Sequence, residues 1–120
     1  MRILFVEDNH DISALFSLVF GTQGHSTRVA NNGAEAVRAV QQESFDAIVM
    51  DLEMPVMGGF EATRHIRQLP HGQRPPILIF TGYPCGRDDA IKAGANDLVN
   101  KPIDPLMLLD RLQATCGPVH

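Results

Sequence analysis

Residues 47–51 read Ala47-Ile48-Val49-Met50-Asp51, four apolar residues followed by an acid. Similar short apolar segments recur at fairly even intervals along the chain. They are Arg2 to Val6, Ser26 to Ala30, Ile77 to Phe80 and Leu98 to Asn100. Segments this rich in Ile, Leu, Val and Phe are typical of strands that are buried on both faces, which favours parallel pairing. The sequence therefore predicts a sheet of five parallel β-strands, in which Ala47 to Met50 is the third.

The stretches between the apolar segments have the periodicity of amphipathic helices. In the first, apolar residues fall at i, i+3, i+4, i+7 and i+8, which places them on one face. The last follows Asp104-Pro105, a capping residue and a proline at the first helical position. The residues expected to face the core are Ile12, Leu15, Phe16, Val19 and Phe20, then Ala36, Val37 and Val40 within a helix near Ala34 to Glu43, then Phe60, Thr63 and Ile66, and finally Leu108, Leu109, Leu112 and Cys116. Strands that alternate with helices form a three-layer α/β sandwich, and right-handed crossovers limit it to a few doubly wound topologies.

Composition argues against several classes of protein. The chain has 120 residues, enough for one domain, and a net charge of -4 without a cluster of Lys and Arg. A nucleic-acid surface needs such a cluster. The longest apolar stretches, such as Ile77 to Phe80, are too short to cross a bilayer, and no signal peptide is visible. Because Cys85 and Cys116 cannot build a disulfide framework or a four-ligand zinc site, we expect a cytoplasmic protein with reduced thiols.

Polar residues with useful chemistry follow four of the predicted strands. In chain order they are Glu7 and Asp8 after the first strand, Asp51 after the third, Thr81 and Gly82 after the fourth, and Lys101 and Pro102 after the fifth. The carboxyl ends of the strands in such a sheet share one edge, and ligands bind there, where the winding reverses direction. We therefore expect three acids and one lysine around a single pocket.

The acids of this pocket suit a hard cation. Three carboxylates repel one another unless a cation lies between them. Mg²⁺ or Mn²⁺ is bound by carboxylate and carbonyl oxygens. We expect Asp8 and Asp51 to bind the ion directly and Glu7 to bind it through water, with the backbone carbonyl of Glu53 as a further ligand.

A carboxylate in such a pocket can also accept a phosphoryl group and carry it as an acyl phosphate. Phosphoryl transfer requires charge stabilisation, which the ammonium of Lys101 and the hydroxyl of Thr81 would supply. Gly82 removes a side chain that would block access to the site. The pattern is therefore typical of a pocket in which a carboxylate accepts a phosphoryl group.

Each of these residues also has an ordinary structural interpretation. Asp8-Asn9 before an amphipathic run suits a helix N-cap, Thr81-Gly82 suits a turn, and Lys101 alone suits a solvated surface. Taken singly, the structural interpretation is favoured at each position. Four independent coincidences at one sheet edge are a poor explanation, so the functional interpretation is favoured for the group.

Several motifs together resemble those of response-regulator receiver domains. They keep the family's order over essentially the whole chain: Met1-Arg2-Ile3-Leu4-Phe5-Val6-Glu7-Asp8-Asn9, Asp51-Leu52-Glu53-Met54-Pro55-Val56-Met57-Gly58-Gly59, Phe80-Thr81-Gly82, Ala93-Gly94-Ala95-Asn96-Asp97 and Lys101-Pro102. The resemblance implies a flavodoxin-like, doubly wound (βα)5 sandwich whose five-stranded parallel sheet has the order 2-1-3-4-5. It also implies a receiver domain over residues 1–117, with 118–120 as a tail or the start of a linker and no effector domain in this chain.

The resemblance assigns roles to the pocket residues by position. Asp51 resembles the phosphoacceptor, while Thr81 and Lys101 match the pair that senses and stabilises the phosphoryl group. Glu7, Asp8 and the backbone carbonyl of Glu53 match positions that bind the metal. Glu53, Gly82 and Tyr83 match positions that tune the access of the attacking water. Pro102 matches the proline of a Lys-Pro bond that is usually cis in the family.

The resemblance also implies partners. The donor would be a phosphohistidine on a histidine kinase or a histidine phosphotransfer protein. Output would pass through the face of the fourth helix, fifth strand and fifth helix to an effector domain or a downstream protein. Receivers phosphorylate and dephosphorylate themselves without turning over another substrate, so we do not expect an enzyme in the usual sense. A stand-alone regulator, an N-terminal domain, the receiver of a hybrid sensor histidine kinase and a homodimer all stay open.

The region of the fourth helix departs from the family pattern. The stretch between Thr81 and Lys101 is slightly shorter than usual, and Pro84 and Gly86 are both poor in a helix interior. We predict a short or partly disordered fourth helix over Arg87 to Ala93, closed by Gly94 as C-cap. Gly58 replaces the common Asp in a loop, where we expect little effect.

Leu98 is a further departure, because the family usually has Tyr or Phe at this position. The usual relay through an aromatic rotamer is therefore not supported. Leu98 and the short helix favour an alternative function, a phosphorylation-independent interaction module of the same fold, and the complete acidic set counts against it. A hydrolase of the dehalogenase kind needs an Asp where this chain has Glu53, and a nucleotide site needs a Gly-rich loop after the first strand.

Overall fold

Five strands and five helices alternate along the computed structural model, which describes residues 1–116; residues 117–120, including the predicted tail, lie outside the described residues. In chain order the elements are β1 (Arg2–Val6), α1 (His10–Thr22), β2 (Ser26–Ala30), α2 (Gly33–Gln42), β3 (Ala47–Met50), α3 (Gly59–Arg67), a 3₁₀ turn (Pro70–Gly72), β4 (Ile77–Thr81), α4 (Arg87–Ala93), β5 (Asp97–Asn100) and α5 (Pro105–Cys116). All neighbouring strands pair in parallel, in the order β2-β1-β3-β4-β5. The predicted flavodoxin-like fold is confirmed. Among the described residues, no helix reaches the length and hydropathy of a membrane span.

β3 is the central strand, and its position explains its composition. All four of its residues are buried, because helices cover both faces of the sheet. Ile48 and Met50 pack with α2, α3 and α4 on one face, whereas Ala47 and Val49 pack with α1 and α5 on the other. The continuous apolar run that predicted a doubly covered strand therefore reflects a real three-layer sandwich.

The layer between the sheet and helices α1 and α5 is built around four phenylalanines. Phe5, Phe16, Phe20 and Phe80 lie with ring centroids 5.3 to 6.1 Å apart, in tilted and edge-on arrangements. Each such ring contributes roughly 1.5–3 kcal/mol by burial, and the aromatic contacts add to it. This cluster fixes α1 against the sheet and so fixes the loop between β1 and α1.

Two residues predicted to face the core lie outside it. Leu15 is 51% exposed, because the buried face of α1 follows Ser13, Phe16 and Phe20. Cys116 is exposed in the last turn of α5, one turn beyond the buried Leu112. The periodicity predicted both helices correctly but made each apolar face too wide.

The fourth helix has the predicted bounds and is short. It contains seven residues, Arg87–Ala93, and Gly94 ends it in the left-handed conformation with φ 108°. Its N-cap, Gly86, makes no side-chain hydrogen bond to the helix. Only its two alanines, Ala90 and Ala93, are buried. Few apolar atoms therefore hold this helix to the sheet.

Val56 has a strained backbone in the loop between β3 and α3. Among the described residues it is the one non-glycine residue with positive φ, 71°. The Met57 N–H donates to the Pro55 carbonyl at 2.8 Å, which closes a γ-turn around Val56. Because a β-branched side chain is poorly tolerated there, we expect Val56→Gly to raise the free energy of unfolding by about 1 kcal/mol, as measured by urea denaturation.

A valine elsewhere provides the matched control for this prediction. Val29 on β2 is also exposed but has no positive φ. Val29→Gly should lower the free energy of unfolding, since glycine weakens a strand. Equal destabilisation by both substitutions would show that Val56 is not strained.

Candidate functional site

The parallel register brings the predicted polar residues to one edge of the sheet. Val6 of β1 lies opposite Met50 of β3, so the residues that follow them are neighbours. At the next pair of strands, the Lys101 N–H donates to the Thr81 carbonyl at 2.8 Å. A cleft of about 330 Å³ opens at this edge, and its lining consists of Glu7, Asp8, Asn9, Ile12, Asp51, Glu53, Thr81, Gly82 and Lys101.

Three carboxylates form the floor of the cleft. Glu7, Asp8 and Asp51 each present an oxygen within 4.8 Å of the other two. Within residues 1–116 they are the one group of three or more acid, histidine or cysteine side chains arranged to share a metal ion. Glu7 and Asp51 are 1% and 4% exposed, whereas Asp8 is exposed. An all-oxygen donor set with one side open to solvent fits Mg²⁺, which retains water ligands.

Asn9, and not Asp8, caps helix α1. The side-chain oxygen of Asn9 accepts hydrogen bonds from the backbone N–H groups of Asp11 and Ile12, at 3.0 and 3.1 Å. This N-cap satisfies the orphan donors of the first turn. The carboxylate of Asp8 is thereby left to the cleft, which removes the structural interpretation of that residue.

Lys101 neutralises part of the acidic charge. Its Nζ donates to Glu7 Oε1 at 2.6 Å and lies 3.3 Å from Asp51 Oδ2. It also lies 5.0 Å from the centre of the Phe80 ring, a cation–π contact. Burial would lower the pKa of Lys101, but the hydrogen bond to Glu7 and the charges of Asp51 and Glu7 outweigh it, and the pKa is raised. The ammonium is therefore protonated throughout the physiological pH range.

The Asp51 carboxylate is held by its own chain. Its Oδ1 accepts a hydrogen bond from the Leu52 N–H at 2.8 Å, which leaves Oδ2 toward Lys101. Helix α3 begins directly beneath it, and a Cβ at Gly59 would lie 2.1 Å from the Asp51 carbonyl oxygen. Only glycine fits there, so Gly59 lets α3 pack against the loop that carries the acid.

Thr81 closes the cleft on the side of β4. Its side chain is 1% exposed, and its Oγ1 accepts a hydrogen bond from the Tyr83 N–H at 3.0 Å. Gly82 lines the cleft, and a Cβ there would find its nearest neighbour at 3.9 Å, so the backbone at this position has room for a side chain. Glu53 lines the entrance, whereas the half-exposed ring of Tyr83 lies outside the lining.

Two further predicted positions are placed by the structure. Leu98 is partly buried and packs against the core on the side of α2, α3 and α4. The Lys101–Pro102 peptide bond is cis. Neither Leu98 nor Pro102 lines the cleft.

Some contacts of the site were not predicted from the sequence. Sequence reasoning gave Glu7 a metal-bound water, whereas the structure also gives it a direct bond to Lys101. The sequence predicts Ile12 and Phe80 as core residues alone, yet Ile12 lines the cleft and the Phe80 ring lies 5.0 Å from the Lys101 ammonium. Their spacing indicates a position near the cleft, since Ile12 is one helical turn beyond Asp8 and Phe80 directly precedes Thr81.

Comparison with known proteins agrees with this arrangement. Residues 3–113 match the family model described as the response regulator receiver domain. The chain is similar to the receiver domain of sensor histidine kinase PA1611 from Pseudomonas aeruginosa PAO1, solved with magnesium in its active-site cleft. The identity is 34%, the TM-score is 0.88, and 98% of each chain is covered.

Two curated relatives differ greatly in length. The CAI-1 autoinducer sensor kinase/phosphatase CqsS of Vibrio cholerae is 36% identical over 116 residues, which cover 94% of this chain and 17% of that protein. A 14.6 kDa protein of Leptolyngbya boryana is 36% identical over 118 residues, covering 97% of this chain and 90% of the relative. The family match over nearly the whole described chain shows that this protein belongs to the response regulator receiver domains of two-component signal transduction.

Proposed function

We propose that Asp51 accepts a phosphoryl group from a phosphohistidine in a Mg²⁺-dependent reaction, and that the phosphorylated domain changes its binding to a partner. One observation carries this proposal. The buried Asp51 carboxylate shares a cleft with two further acids within 4.8 Å and with the Lys101 ammonium 3.3 Å from its Oδ2. An acid in this setting has both the cation site and the fixed positive charge that phosphoryl transfer needs.

In the proposed reaction, an oxygen of the Asp51 carboxylate attacks phosphorus. A P–O bond forms as the P–N bond of the phosphohistidine breaks, and the electron pair of that bond returns to the imidazole. Lys101 stabilises the negative charge on the phosphoryl oxygens, and the Thr81 hydroxyl donates a hydrogen bond to one of them. Because Lys101 is already in the cleft, it needs little rearrangement, which is the condition for effective electrostatic stabilisation.

The acids provide the metal site of this proposal. Asp8 and Asp51 would bind Mg²⁺ or Mn²⁺ directly, Glu7 through water, and the Glu53 carbonyl would add a ligand. The bound ion would supply charge neutralisation for the phosphoryl oxygens. The magnesium ion in the cleft of the similar PA1611 receiver supports the assignment.

Hydrolysis of the acyl phosphate would return the domain to its resting state. Glu53 lines the cleft and Tyr83 directly follows Gly82, which also lines it, so we propose that the side chains of Glu53 and Tyr83 orient or exclude the attacking water while Gly82 keeps the entrance open. The domain would then phosphorylate and dephosphorylate itself without turning over another substrate.

The proposed donor is a histidine kinase or a histidine phosphotransfer protein in the cytoplasm. Relatives that include sensor kinases support this class of partner. The proposed output face consists of α4, β5 and α5, where Ile91, Leu106 and Met107 expose apolar side chains. An effector domain, a downstream protein or a second copy of the chain would bind there.

Incubation with acetyl phosphate tests the proposal. With Mg²⁺ present, intact-protein mass spectrometry should detect one added phosphoryl group, which hydroxylamine should remove because an acyl phosphate is labile to it. Without divalent cations the adduct should be lost. A folded protein that forms no Mg²⁺-dependent adduct would instead support the alternative, a phosphorylation-independent interaction module.

A further inference from the structure

Helix α4 buries little apolar side-chain surface against the rest of the domain. Its buried residues are two alanines, and its N-cap offers no side-chain hydrogen bond. By comparison, α5 buries Leu108, Leu109 and Leu112. An element that buries so little apolar surface has a low free energy of local opening compared with the rest of the structure.

An ion pair holds the amino end of α4. Arg87 is the first residue of the helix, and its Nε lies 3.4 Å from Asp97 Oδ1 on β5. Asp97 is 8% exposed, and its other oxygen accepts a hydrogen bond from Arg111 of α5 at 2.5 Å. Burial alone would raise the pKa of Asp97, but Arg111, the Leu98 N–H and Arg87 lower it overall. Asp97 is thus charged and is held in place by Arg111 and the Leu98 N–H, whereas the exposed Arg87 can dissociate from it.

The chain connects this ion pair directly to the phosphoacceptor cleft. Thr81 ends β4 within the cleft, and only residues 82–86 separate it from Arg87. The Thr81 hydroxyl also accepts the hydrogen bond from the Tyr83 N–H at 3.0 Å, so a shift of this side chain pulls on the same segment. Leu98, beside Asp97, has no aromatic ring that could carry the signal by a change of rotamer.

We propose that the Arg87–Asp97 ion pair is a latch that holds α4 in its resting position and opens when Asp51 is phosphorylated. This inference rests on the proposed function of Asp51. Side chains of Arg87 and Asp97 are 67% and 11% exposed, so the arginine end is free to exchange its partner for water. Opening the latch would expose the Asp97 carboxylate and release the amino end of α4 to bind a partner.

Binding of beryllofluoride, a phosphoryl analogue, tests the latch. A latch that favours the resting state opposes binding, so Arg87→Gln should bind beryllofluoride with Mg²⁺ about two- to five-fold more tightly than the wild type, the range of an exposed ion pair. Lys92→Gln is the matched control, because Lys92 is an exposed cation of the same helix that forms no ion pair within residues 1–116. Its affinity should equal that of the wild type. Titrations followed by ¹H–¹⁵N NMR give all three affinities.

Hydrogen exchange gives a second readout. In the wild type, beryllofluoride should accelerate exchange of the α4 amides, such as those of Ala90 and Ala93. In Arg87→Gln these amides should exchange rapidly before any ligand is added. Equal affinity and equal exchange in Arg87→Gln and the wild type would overturn the latch while leaving the proposed function intact. Absence of beryllofluoride binding in all three proteins would overturn the proposed function and the latch with it.

Discussion

Replacement of Asp51 by Asn should reduce formation of the acyl phosphate by at least about 100-fold, to the background of the assay. The amide of Asn is not a nucleophile for phosphorus. It preserves the local geometry, because its oxygen can still accept the hydrogen bond that Asp51 Oδ1 receives from the Leu52 N–H. The loss would therefore be chemical and would not require a change in the fold. Mass spectrometry after incubation with acetyl phosphate and Mg²⁺ measures it.

A matched variant separates the loss of the acceptor from the loss of a charge. Asp110→Asn removes one exposed carboxylate of α5 that does not line the cleft, and should form the adduct at the wild-type rate. Circular dichroism should show that both variants are folded. If Asp51→Asn retained the Mg²⁺-dependent adduct, another carboxylate of the cleft, such as Asp8, would be the acceptor and the proposed assignment would be wrong.

The strand ends were the most predictable part of this protein. β1 and β3 have the predicted bounds, because the buried part of each strand is continuously apolar and each strand ends directly before an acid, Glu7 or Asp51. The parallel sheet then places Glu7 and Asp51 together through the register of β1 and β3. α4 was equally predictable, since Gly94 marks its end through a backbone conformation that favours glycine.

Contacts between side chains from distant elements were not predictable in the same way. Lys101 and Glu7 are 94 positions apart, and no local pattern specifies that their side chains bond. Likewise, the exposure of Leu15 depends on how α1 is rotated against the sheet, and the periodicity does not determine that rotation to within one residue. Geometry of this kind is set by tertiary packing, so it emerges only from the folded structure.

Arg67 illustrates the limit most clearly, because its partners are neutral backbone and amide oxygens. Its guanidinium donates to the carbonyls of Gly94, Gly72 and Pro75 at 2.7, 3.0 and 2.7 Å, and to Asn96 Oδ1 at 2.8 Å. One side chain thus joins the end of α3 to the end of α4 and to the loops that enter β4 and β5. Burial lowers the pKa of Arg67. Because carbonyl acceptors leave no signature in a sequence, no sequence pattern indicates this role of Arg67.

We expect Arg67→Ala to lower the free energy of unfolding by about 3 kcal/mol, measured by urea denaturation. The substitution leaves several partly buried carbonyl oxygens without a donor and removes the alkyl chain that packs against Gly94. Arg67→Lys should recover only part of the loss, because an ammonium cannot reproduce the planar fork that reaches four acceptors. If the Arg67→Ala variant does not fold, the free energy of unfolding of Arg67→Lys still tests the prediction.

The neighbouring arginine of the same helix provides the control that decides the cause. Arg64 is exposed and forms no hydrogen bond or ion pair through its side chain within residues 1–116, so Arg64→Ala should cost less than about 0.5 kcal/mol. Asn96→Ala combined with Arg67→Ala should be less destabilising than the sum of the two, by about 1 kcal/mol, since the residues share a hydrogen bond. Equal effects of Arg64→Ala and Arg67→Ala would mean that water replaces the guanidinium without loss. Additivity with Asn96→Ala would show that their bond contributes nothing, and the loss in Arg67→Ala would then come from the hydrogen bonds to the three carbonyls and from the packing of the alkyl chain.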